Sequence, residues 1–153
     1  MPNINTAELV DEGDYRRARL AELAGAEHLG LTLYELAPGQ GMLHYHLQRE
    51  ELLVVLEGTL GVRTSGGWEN VGEGEVVAFP RGEPGAHGYE NRSSDSVRVL
   101  MISEQNAPNV SVYPDANQVG IYDVARPEER RFGALFSLGD AISGYARGEA
   151  DNG

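Results

Sequence analysis

The chain has 153 residues and a formal net charge of −12, and every one of its twelve basic residues is arginine. The lack of lysine excludes Schiff-base chemistry, a pyridoxal-phosphate lysine and a P-loop lysine, and the lack of cysteine excludes disulfides, thiolate metal sites and a cysteine nucleophile. An excess of 24 carboxylates over 12 arginines repels polyphosphate backbones, so no nucleic acid is expected as a partner, and the length suits one ordinary domain with a modest tail.

Residues 1–15 are polar and acidic, without the basic start or apolar stretch of a signal peptide, and no run of 18 apolar residues occurs. A cytoplasmic protein with no membrane contact is expected. Beyond this arm, short apolar runs predict strands at 17–22, 29–36, 43–47, 52–57, 59–64, 68–70, 75–79, 86–91, 97–102 and 110–113. Turn chemistry separates them: Pro38-Gly39, Glu57-Gly58, Ser65-Gly66-Gly67, Gly72-Glu73-Gly74 and Ser93-Ser94-Asp95. Strands this short and close leave no room for βαβ crossovers, so an antiparallel all-β domain is expected. After residue 123, a helical turn is predicted from Arg126-Pro127 towards Phe136, with Phe132, Leu135 and Phe136 packing it on the domain. Residues 148–153 should fray.

Three of the four histidines fall in two clusters. In the first, His44 and His46 alternate with Tyr45 on a strand, so they share a face with Cα atoms ~6.6 Å apart, and two imidazoles can converge on one ion. Glu51 opens the following strand, where a carboxylate is a suitable third ligand; Glu50 competes with it for that position. In the second cluster a strand runs into the loop Pro80-Arg81-Gly82-Glu83-Pro84-Gly85, which delivers His87 onto a fresh strand.

The spacing Gly39-x4-His44-x-His46-x4-Glu51-x6-Gly58 resembles the first motif of the cupin family, one residue short in its opening gap. Gly74-x5-Pro80-x-Gly82-x4-His87-x3-Asn91 resembles the second, with two extra residues before the histidine. The resemblance implies an all-β fold, the cupin double-stranded β-helix or jelly-roll barrel of two antiparallel sheets. It also implies a single divalent transition metal per chain (Fe, Mn, Ni, Cu or Zn) held by His44, His46, Glu51 and His87, with Glu51 rather than Glu50 in register. The layout is then an arm and first strand (1–28), a barrel core carrying both motifs (29–114) and a C-terminal extension (115–153). Parts of that extension, Gly139-Asp140-Ala141 and residues 144–149, resemble the tail of a subgroup of small stand-alone cupins.

Strand parity puts Tyr89 and Asn91 on the face of His87. Tyr89 is therefore a candidate acid, base or substrate anchor beside the metal, with the packing of a barrel aromatic as the alternative. Asn91 resembles the family's structural asparagine. Tyr34 and Arg98 are further candidate pocket residues, and His28 is expected at the surface. Two functions fit: a metal-dependent dioxygenase, isomerase or lyase acting on a small polar or aromatic metabolite, and a non-catalytic module that binds metal or a small ligand. In the run 52–56 the face bearing Leu52, Val54 and Leu56 needs a cover. A homodimer is expected to supply it, through a barrel face or an exchanged N-terminal arm.

Overall fold

The structure is a computed structural model. It describes residues 1–13, 15–46, 49–123 and 132–139, and of residues 43–46 the backbone alone. In chain order the elements are β1 (Val10–Asp11), β2 (Arg16–Arg19), α1 (Leu20–Leu23), β3 (Leu29–Leu36), β4 (Gly41–His46), β5 (Glu51–Glu57), β6 (Thr59–Thr64) and β7 (Gly67–Gly72). There follow β8 (Val76–Phe79), β9 (His87–Glu90), β10 (Val97–Glu104), β11 (Asn109–Tyr113), β12 (Gln118–Tyr122) and β13 (Gly133–Ser137).

The strands form two antiparallel sheets. One has the order β1-β2-β3-β10-β5-β8 and the other β13-β12-β11-β4-β9-β6-β7. This is the all-β, double-sheet barrel expected from the sequence. Neighbours in the sheet are distant in the chain: β10 lies between β3, with which it pairs along its whole length, and β5. Such pairings close only after long loops have been ordered, which favours strands whose side chains already alternate cleanly.

That alternation sorts the residues. On β5, Glu51, Leu53 and Val55 face inward, and on β10 so do Val97, Val99 and Met101. With Leu36, Leu60, Val62, Val71, Phe79 and Tyr89 they fill the barrel. Each fully buried aliphatic side chain contributes about 1.5–3 kcal/mol. The filling makes one end of the barrel solid, because Leu36, Leu53, Val55, Leu60, Val97 and Val99 are all essentially inaccessible.

Between β9 and β10 the chain turns on Asn91, which is fully buried. Its Nδ2 donates to the carbonyls of Leu36 (2.8 Å) and Asp95 (2.7 Å), and its Oδ1 accepts from the backbone N–H (3.0 Å) and hydroxyl (2.7 Å) of Ser93. One side chain thus satisfies buried backbone at two places and ties β3 to the end of β9.

Three expectations are corrected. The segment 17–22 is a strand only as far as Arg19. Leu20 and Ala21 are both buried, and consecutive residues both turned inward suit the helical turn α1 rather than strand alternation. After residue 115 the chain adds β12 and β13 to the second sheet. Residues 133–137 are therefore extended, not helical, being paired along β12, whose edge would otherwise be open. Phe132, Leu135 and Phe136 do not pack on the barrel but are 56, 54 and 46% exposed. The start of the predicted helical turn (126–131) and the tail beyond residue 139 lie outside the described residues.

The outer face of the first sheet is covered in part by its own chain. Ile4, Ala7 and Leu9 of the arm pack with Ala18, Leu20 and Leu33 against Leu31, Leu56 and Leu100. The Nη2 of Arg98 donates to the Ile4 carbonyl at 3.0 Å and fastens the arm. Leu52 stays 36% exposed and Val76 59% exposed on the same face. Among the described residues no helix is long and apolar enough to cross a membrane.

Candidate metal centre

The second motif positions His87 by its backbone. Gly82, at φ 75°, takes a conformation that favours glycine and turns the chain into a 3-10 turn, Glu83–Gly85. That turn feeds β9 so that His87 enters the barrel fully buried. Its ring lies flat against Phe79, with centroids 3.6 Å apart and planes 8° apart. Its Nδ1 is 2.8 Å from the Gly85 carbonyl. A carbonyl only accepts, so the bond puts the proton of the neutral imidazole on Nδ1 and leaves the Nε2 lone pair available. A second hydrogen bond of this kind commonly orients a metal-ligating histidine.

Glu51, at the start of β5, is also buried and faces the barrel interior. Its Oε2 is 3.6 Å from His87 Nε2. Two donors each about 2.1 Å from one ion stand roughly 3–3.6 Å apart for ligand–metal–ligand angles of about 90–120°. The donor pair therefore has the chemistry and separation of two ligands to a common cation. Glu50 is exposed, its backbone N–H donating to Glu104 Oε2 at 3.1 Å, and is not on this face. Across β4 and β9, His44 stands in register with His87 and Met42 with Tyr89, while His46 pairs with Ser111 of β11. The backbone thus brings both histidines of the first motif beside the strand that carries His87. Their side chains lie outside the described residues.

Above this pair is a cavity of about 180 Å³, the open mouth of the barrel. Glu51, Tyr34, Tyr89, Met42 and Met101 line it from the interior, and Arg17, Arg19 and Arg49 from the rim. Tyr89 is buried among the core residues, its ring 6.5 Å from that of His87. Burial, reinforced by the phenol of Tyr34 and the charge of Glu51, pushes its pKa well above the ordinary value. Tyr34 is raised as well, first by burial, although Arg17 opposes the shift. Both phenols therefore keep their protons at neutral pH and are suited to donating hydrogen bonds, not to removing protons.

Of the other sequence candidates, Tyr34 lines the cavity, whereas Arg98 does not, since it holds the arm on the opposite face of the sheet. His28 is exposed. Sequence reasoning missed the arginines. Arg49 precedes Glu51 by two residues, which was the available signal. Arg17 joins the mouth only because β2 pairs with β3 and sets it opposite Tyr34.

Residues 32–103 match the family described as Cupin domain. Among solved structures, a sugar phosphate isomerase from a cupin superfamily of Silicibacter pomeroyi is 23% identical, with a TM-score of 0.76 over 88% of this chain and 90% of that one. A candidate sugar phosphate isomerase of Acidithiobacillus ferrooxidans is 22% identical, with a TM-score of 0.73 over 82% and 78%. The polyketide cyclase RemF of Streptomyces resistomycificus is 27% identical, with a TM-score of 0.58 over 68% and 78%. Among curated proteins none matches the chain in sequence. Both motifs and the double-sheet barrel agree with the family match over the core: residues 32–103 form a cupin domain.

Proposed function

We propose that the chain binds one divalent transition metal through His44, His46, Glu51 and His87 and acts on a small polar metabolite at the open mouth of the barrel. The observation that carries this is the buried Glu51–His87 pair at 3.6 Å, with the imidazole tautomer set by Gly85. Three nitrogens and one carboxylate suit Fe, Mn, Ni, Cu or Zn, and four ligands on a six-coordinate ion leave two positions for a substrate. When bound, the ion supplies Lewis acidity to a substrate oxygen. The chain's own contribution is to exclude water from one side with Phe79 and Met101, to donate a proton-bearing phenol from Tyr89, and to orient the substrate at the rim. Isomerase chemistry is favoured among the candidate reactions, because two structural neighbours are described as sugar phosphate isomerases, one of them only as a candidate.

A second reading, a binding module without turnover, is favoured by the neutral phenols: Tyr34 and Tyr89 hold their protons, which leaves Glu22 and Glu51 as the carboxylates among the described residues lining the cavity. Turnover by metal-loaded protein on aldose and ketose phosphates separates the two. A homodimer would cover Leu52 and Val76, the aliphatic residues that the arm leaves open.

The register of the carboxylate is directly testable. Glu51→Gln should lower metal affinity by about 100-fold, because it removes a charged donor from a buried site. Glu50→Gln should stay within about twofold, since Glu50 faces solvent. Calorimetric titration with Zn²⁺ or Mn²⁺ reads both, and a larger loss for Glu50→Gln would move the site by one residue.

A further inference from the structure

The chain is strongly acidic, yet three of its twelve arginines meet at one cavity. Arg49 is only 7% exposed. A guanidinium has five N–H donors; the Nη2 of Arg49 reaches the Asn106 carbonyl at 3.0 Å, while its Nε is buried with no acceptor among the described residues. Burial presses its pKa below the ordinary value, and the charges of Glu51 and Glu104 pull the other way. Arg17, which lines the same cavity from β2, repeats the pattern. Its Nη2 binds Glu12 at 2.5 Å, while its Nε is buried with no acceptor among the described residues. Arg19, two residues along β2, turns to the same face.

Buried guanidinium donors are costly to leave unmatched, and the group that matches their fork is a planar or tetrahedral oxyanion. The lining carries three arginines against Glu22 and Glu51. A divalent cation on Glu51 would leave the mouth positive despite the charge of the chain as a whole. We propose that Arg49 and Arg17, with Arg19 at the rim, form a clamp for the carboxylate or phosphate group of a small anionic substrate. The cavity, about 180 Å³ and open at the mouth, suits a compact metabolite. This deepens the metal-site reading, because the clamp would hold the anionic end while the remainder lies over Glu51 and His87.

The clamp is testable without knowing the substrate. Inorganic phosphate, malonate and, as a neutral control, glycerol are titrated at constant ionic strength into the metal-free full chain, with calorimetry and thermal shift as readouts. Saturable binding of phosphate or malonate but not glycerol is expected, and whichever binds more tightly identifies the anion class. Arg49→Gln and Arg17→Gln should each weaken it by at least about tenfold. Arg92→Gln, which removes an arginine stacked over Trp68 away from the cavity, should leave it within about twofold. If Arg49→Gln does not fold by circular dichroism, Arg17→Gln and Arg49→Lys decide the matter. Absence of saturable binding by either anion, or equal binding by Arg17→Gln and the wild type, overturns the clamp. Metal titration of the same variants keeps the two readings apart. Variants that hold metal but lose the anion support the clamp. A wild type that holds the anion but no metal contradicts the metal site alone.

Discussion

Replacing His87 with alanine should give a folded β domain that no longer holds a metal ion, with affinity reduced by more than about 100-fold. The ring is gripped on two sides, by its stack on Phe79 and by the bond from Nδ1 to Gly85. Its Nε2 therefore has little freedom, and no other described side chain reaches the same position. Truncation also leaves a cavity against Phe79, which costs about 2 kcal/mol or more. A domain of ordinary stability survives that loss. His87→Gln keeps more of the volume and separates the two effects: it should recover part of the stability and little of the metal binding. His44→Ala should lose the metal in the same way. Zn²⁺ or Mn²⁺ calorimetry beside circular dichroism measures both quantities. Wild-type affinity in His87→Ala would remove this residue from the site.

Gly85→Ala should be among the most destabilising single changes in the barrel. A Cβ built at Gly85 would lie 1.6 Å from the Pro80 carbonyl oxygen, 2.7 Å from its carbon and 3.0 Å from the Pro80 nitrogen. All three are backbone atoms, and the proline ring restricts how that backbone can yield. The loop must therefore open, at a cost of about 3 kcal/mol or more. Opening it also withdraws the carbonyl that orients His87, so metal affinity should fall together with stability. Gly74→Ala is the matched control. Gly74 has φ of 81° and open space where a Cβ would go, so its cost is the conformational one alone, about 1–2 kcal/mol. Urea unfolding of both variants gives the comparison, and equal losses would mean that the close approach to Pro80 does not constrain the loop.

Much of this arrangement is legible in the amino-acid sequence, because it is written in local chemistry. The runs at 29–36 and 59–64 coincide with β3 and β6, since their alternation and bounding turns leave one reading. The motif glycines Gly39, Gly58, Gly74 and Gly82 all have positive φ, between 75° and 85°, so glycine at those spacings reflects turns that other residues enter only with strain. His87 and Glu51 could be paired in advance because both motifs are local and their spacing is informative. The mouth was harder to read. Arg17 reaches it through the pairing of β2 with β3, and Arg49 through the approach of Asn106 from the end of β10, contacts that depend on strand order. Arg98 shows the converse error: its parity on β10 puts it outside, holding the arm, which only the register with β3 and β5 reveals. The strands β12 and β13 escaped for another reason. Gly120 and Gly133 interrupt weak patterns, and the pairing is set by the edge that β11 offers rather than by the residues' own preference.

The most direct test is metal content as a function of pH, measured by elemental analysis on untagged wild-type protein after incubation with excess metal and gel filtration. An imidazole must be neutral to coordinate, so protonation competes with the ion, and affinity should drop as pH falls through about 6.5. At pH 7.5 about one divalent ion per chain is expected, with most of it released by about pH 5. Binding far below one ion per chain at pH 7.5 for every one of Fe, Mn, Ni, Cu and Zn, or retention that is flat down to well below pH 5, would contradict a centre built from His44, His46, Glu51 and His87.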